Sequence, residues 1–152
     1  MITNFDLFGF VHLSTIGAAI ALGLIFIWCA KKFPNSINKI SLGLAITIIL
    51  IRSVRFGFDA YLGVFEIKDL FSLHVCHIDL ILLVICLLKP KKGLFVFTFL
   101  IGIPTALAVA LLPGKIHPEP GMLRAIFFIM SHMMLVMTSI YILVTYKFQI
   151  TF

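Results

Sequence analysis

The stretch FSLHVCHIDLILLVICLL, residues 71–88, makes two demands that pull against each other. From Leu80 to Leu88 it is apolar without a break, yet its first half carries His74, Cys76, His77 and Asp79, with Lys68 and Asp69 just ahead. Hydrophobicity of this density belongs in a bilayer, where ionisable side chains are costly and mark a site. A thiol, two imidazoles and a carboxylate can do nucleophilic chemistry, carry protons or hold a metal.

The rest of the chain has the same character. Its 152 residues are 62% hydrophobic and 12% charged, with a mean hydropathy of +1.19. One soluble core of this size has too little interior for so much apolar surface. Apolar runs of roughly 18 or more residues recur instead, as spanning helices require. The expected fold is all-α, a single polytopic transmembrane helix bundle with spans near residues 7–30, 37–56, 70–88, 93–112 and 122–146. Breakers separate them: Pro34 and Asn35, Gly57 and Gly63, Pro90 and Gly93, then PGKIHPEPG from Pro113 to Gly121. The first run opens with Asp6 and His12 rather than basic residues and is long for a signal peptide's apolar region, so it reads as a span.

The net charge of +6 does not point to nucleic acid, because the lysines sit in short loops between apolar runs. Lys31, Lys32 and Lys39 occupy the first loop, Lys89, Lys91 and Lys92 the third, and Lys147 follows the last span. The second loop mixes Asp59, Glu66, Lys68 and Asp69, and the fourth mixes Lys115 with Glu119. The positive-inside rule therefore predicts a multi-pass protein of the cell membrane, N-terminus outside and C-terminus cytoplasmic. Arg52, Arg55 and Arg124 oppose that count, and their closeness to the spans assigns them to a site instead. Cys29, Cys76 and Cys86 all fall in apolar runs, which argues against a disulfide framework.

Depth along the helices sharpens this reading. With the expected topology, His12, Arg52, Arg55, His74, Cys76, His77, Asp79 and Arg124 fall in the outer half of the bilayer, and His132 lies deeper, roughly mid-membrane. Five independent spans do not place their costly residues in one leaflet by chance, and a polar cavity open to that side accounts for it. On the third span, His74 and His77 share one face and Cys76 and Asp79 another. One helix cannot present all four groups to a small ligand, so spans one, two and five must supply partners. Each residue also has a plainer role. His12 can be a hydrogen-bonded packing residue, the arginines can snorkel to lipid phosphates, and Cys29, Cys86 and the methionines from Met130 to Met137 can be packing. Pro104 is expected to disturb the fourth helix and free a carbonyl.

The segments LHVC (Leu73 to Cys76), LLP (Leu111 to Pro113) and FFIMSH (Phe127 to His132), in this order and with His12 ahead of them, resemble the YwaF-like family of small integral membrane proteins. That family is related to animal transmembrane protein 164, described as a phospholipid acyltransferase. The resemblance covers about residues 10 to 146 and implies a bundle of about six or seven spans with a cysteine and histidines as reactive groups. On that basis Cys76 is the acyl-accepting nucleophile and His74 or His132 its base. This chain departs from the family in having five spans, so its cavity is expected to be incomplete or to be completed by a partner membrane chain or a homo-oligomer.

Four readings follow. The first is acyl transfer on membrane lipids, with Cys76, His74 and His132 catalytic and His12, Arg52, Arg55, His77, Asp79 and Arg124 binding substrate, the arginines on a lipid phosphate. Asp79, on the face of Cys76, opposes thiolate formation unless it is itself paired. The second is a non-enzymatic transporter or solute-binding protein using the same groups. The third is a metal held by His74, His77 and a third ligand; the sequence lacks a fixed metal signature, and no cofactor is expected. The fourth is a small membrane subunit whose polar residues only hold helices together.

Overall fold

The computed structural model describes residues 6–63, 65, 75–112 and 122–148. Five α-helices account for nearly all of them: α1 (Phe10–Lys32), α2 (Ile37–Tyr61), α3 (Val75–Leu88), α4 (Lys92–Leu111) and α5 (Met122–Tyr146), with a 3₁₀ turn, Pro34–Ser36, between the first two. No strand occurs among the described residues. Helices α1, α2, α4 and α5 have 20 to 25 residues and are apolar enough to cross a membrane. At ~1.5 Å per residue they match a hydrocarbon core about 30 Å thick. The described part of α3 is a shorter apolar helix of 14 residues. The protein is a multi-pass membrane bundle, as its composition predicts.

The fifth helix is the hub and packs against all four others. Every residue from Ser131 to Ser139 is buried, so this stretch is enclosed on all sides. The outer helices instead carry single buried stripes. On α1 the stripe is His12, Thr15, Ala19, Gly23, Ile27 and Ala30, spaced three and four residues apart. Small residues in it let the backbones approach: a Cβ on Gly23 would lie 2.5 Å from the Cβ of Met137. The opposite faces, with Leu24, Ile25, Trp28, Leu50, Ile78 and Ile81, stay exposed, as lipid-facing surfaces do.

One boundary departs from the sequence reading in a way that bears on the site. The second helix runs on through Gly57 to Tyr61, carrying Asp59 into the bundle, where it is 3% exposed. Asp59 is therefore a helix residue and not a loop residue. The fourth helix continues through Pro104. Just beyond it, Thr105 donates its hydroxyl proton back to the Ile101 and Gly102 carbonyls at 2.8 and 3.0 Å.

Candidate functional site

Alternation of helix direction gathers the N-terminal ends of α1, α3 and α5 with the C-terminal ends of α2 and α4. Cross-helix contacts mark that end: His12 meets Ala110, and Arg124 meets Asp59. The lysines Lys31, Lys32, Lys39, Lys89, Lys91, Lys92 and Lys147, all exposed, lie at the other.

A small cavity opens near the first end, with room for about one water molecule (≈ 10 Å³). Three helices line it: Arg52 from α2, Cys76, His77 and Leu80 from α3, and Ser131, His132 and Leu135 from α5. A cysteine, two histidines and an arginine thus share one space although they come from separate parts of the chain. Cys76 is half-buried.

His132 is 5% exposed and held in one orientation. Its Nδ1 lies 2.7 Å from the Phe128 carbonyl one turn earlier, and its ring packs on the Phe128 ring at 4.4 Å between centroids. A carbonyl oxygen can only accept, so Nδ1 carries the proton, and in the neutral ring Nε2 is left as the basic nitrogen. That is the tautomer a general base beside a thiol needs.

The remaining candidates lie elsewhere. His12 is fully buried, with Nδ1 accepting from the Phe8 amide at 3.0 Å and Nε2 donating to the Ala110 carbonyl at 2.8 Å. It tethers α1 to the end of α4 and does not line the cavity. Arg55 and Arg124 converge on Asp59. Arg124 Nε is 2.6 Å from Asp59 Oδ1 as a close ion pair, though not an aligned hydrogen bond, and Arg124 Nη2 donates to Oδ2 at 3.4 Å. Arg55 Nε stands 3.7 Å from Oδ2. Asp79 turns from the cavity toward α4, where a Cβ on Gly102 would overlap its carboxylate. It is 2% exposed, and neither oxygen has a hydrogen-bond partner among the described residues. His74 lies outside the described residues, as do Glu66, Lys68, Asp69, Lys115, His117 and Glu119. Among the described residues no cluster of three metal-ligating side chains occurs.

The sequence reading overlooked Asp59 and Ser131. The Arg55–Asp59 spacing of four was the available signal for the first, and Ser131 stands within the FFIMSH segment beside His132.

The profile of the TMEM164 family matches residues 7–152. The chain belongs to this family. No curated protein and no solved structure matches it. The match takes in all five helices, so every wall of the cavity belongs to the part shared with the TMEM164 family.

Proposed function

We propose that this TMEM164-family protein transfers acyl groups between membrane lipids through a thioester on Cys76. The observation that carries the reading is the cavity in which Cys76 and His132, held as the Nδ1–H tautomer, stand with Arg52. In the first half-reaction His132 Nε2 takes the thiol proton and the sulfur attacks the ester carbonyl. The carbon–oxygen bond then breaks, and the leaving alkoxide takes the proton back from His132. In the second, His132 removes a proton from an acceptor hydroxyl, whose oxygen attacks the thioester and releases Cys76. Arg52 supplies positive charge for a lipid phosphate or the developing oxyanion, and His77 and Ser131 shape the wall. Arg55 and Arg124 act through Asp59, and His12 anchors the helix ends. Seven exposed lysines at the opposite end support a cytoplasmic placement for that end and an extracytoplasmic placement for the cavity, in the cell membrane.

The test is capture of the acyl-enzyme by an ester activity probe, paired with lipidomics of cells with and without the protein. Cys76→Ser is expected to abolish labelling; undiminished labelling in that variant overturns the reading. Asp79 supports a second reading, a non-enzymatic transporter or solute-binding protein, because a carboxylate sealed in a span with no hydrogen bond among the described residues is a candidate for a proton or solute pathway. In that case Asp79→Asn abolishes uptake while Cys76→Ser is harmless.

A further inference from the structure

The ion cluster at Asp59 and the imidazole of His132 are joined by one residue. The guanidinium of Arg55, beside the Asp59 carboxylate, lies over the Phe128 ring at 5.1 Å from its centroid. Phe128 in turn holds His132 twice, ring against ring and carbonyl against Nδ1. Arg124, two residues into α5, grips the same carboxylate and ties the helix's first turn to α2. Two routes therefore lead from Asp59 to His132: through the arginine that sits on Phe128, and through the placement of the turn that bears Phe128.

We propose that Asp59 is a positioning residue for His132, holding Arg55 against Phe128 so that Phe128 keeps the imidazole in its Nδ1–H tautomer with Nε2 basic. The proposal rests on the reading of His132 as the base for Cys76. Asp59 is not among the residues that line the cavity, so it acts through Arg55, Arg124 and Phe128. Its chemistry suits that role, since one carboxylate has acceptor sites for two guanidiniums and the cation–π contact keeps Arg55 in place over the ring.

The test is ¹⁵N NMR of histidine-labelled full-length protein in lipid nanodiscs, with His132→Gln identifying the His132 signals among the five histidines. The wild type is expected to show two distinct ring-nitrogen resonances with the proton on Nδ1. Asp59→Asn is expected to lose that pattern, giving averaged resonances, and Asp59→Glu to recover part of it. Phe128→Leu leaves all three charges and the main-chain carbonyl of residue 128 in place and removes only the ring contacts to Arg55 and His132; it is expected to loosen the imidazole and lose the pattern too, so it decides the matter if Asp59→Asn does not fold. The double variant Asp59→Arg, Arg124→Asp restores an ionic tie between α2 and α5 but sets a cation beside Arg55. It is expected to regain thermal stability without regaining the His132 pattern. Folded Asp59→Asn or Phe128→Leu protein with the wild-type pattern overturns the proposal. So does a charge swap that restores the pattern, because Asp59 is then only a clamp. Probe capture at Cys76 is measured on the same samples. An ordered His132 without capture in the wild type overturns the acyl-transfer reading and leaves the positioning role standing.

Discussion

The two ends of this bundle bury polar groups of different chemistry. At the lysine-rimmed end, Ser41 Oγ lies 2.8 Å from the Tyr141 hydroxyl and 3.0 Å from that of Tyr146, with Ser41 and Tyr141 fully buried. Hydroxyls both donate and accept, so three of them can satisfy one another. At the other end the groups are a thiol, imidazoles, guanidiniums and carboxylates, which do not close on themselves in this way. There Asp59 is matched with two arginines, whereas Asp79 has no hydrogen bond among the described residues and Cys76, His77, Arg52 and His132 border a cavity. Polarity inside a membrane bundle is therefore no mark of function by itself. A closed hydroxyl cluster fastens helices, and an open set of chemically unlike groups is a candidate site.

The comparison breaks most readily at Asp59. Asp59→Ala takes the carboxylate away from two arginines, whose side chains are 12% and 14% exposed. Removing one member of a buried ion pair costs about 3–5 kcal/mol, a large share of a typical total stability. Denaturant or thermal unfolding in lipid nanodiscs measures it. A loss below about 1 kcal/mol would place this cluster with the hydroxyl cluster, as one fastening among several.

Close helix approach gives a second contrast of intermediate size. Gly23→Ala and Gly102→Ala each force a Cβ into occupied space, and overpacking of this kind costs about 1–3 kcal/mol. The obstacles differ. At Gly102 it is the Asp79 carboxyl group, which Asp79→Ala removes, so the double variant is expected to recover most of the loss. At Gly23 the nearest atom is the Met137 Cβ at 2.5 Å, which Met137→Ala keeps, so that pair is expected to recover little. The two double-mutant cycles, read by unfolding, report whether Asp79 sits against α4 as described. Equal recovery in both would show that it does not.

How much of the fold and the site is legible in the sequence follows from what periodicity can and cannot carry. The apolar runs and their breakers mark five helices, with α5 at the expected bounds of 122 and 146. Alternation of the spans is enough to send the reactive residues to one end. Asp59 escapes because Gly57 reads as a stop, although a glycine inside a helix costs only about 1 kcal/mol and the last turn is held by Arg55 and Arg124. His12 reads as a hydrogen-bonded packing residue somewhat more readily than as a site residue. Only the carbonyl of Ala110, 98 positions away, distinguishes the two. The grouping of Cys76 with His77 rather than Asp79 at the cavity depends on where α4 and α5 stand, which spacing on α3 alone cannot tell.

The smallest expected effect lies at the closed end and bears most directly on the contrast. Ser41→Ala removes the oxygen between Tyr141 and Tyr146. Side-chain hydrogen bonds between membrane helices average ~0.6 kcal/mol, so a loss of about 1 kcal/mol is expected for the two together. Because the cluster sits at the end of the bundle away from Cys76, probe capture at that residue is expected to stay at the wild-type level. A full loss of capture with so slight a change in stability would mean that the hydroxyl cluster communicates with the cavity through α5. The closed end would then belong to the site, and the helix enclosed by all the others would be the element that joins them.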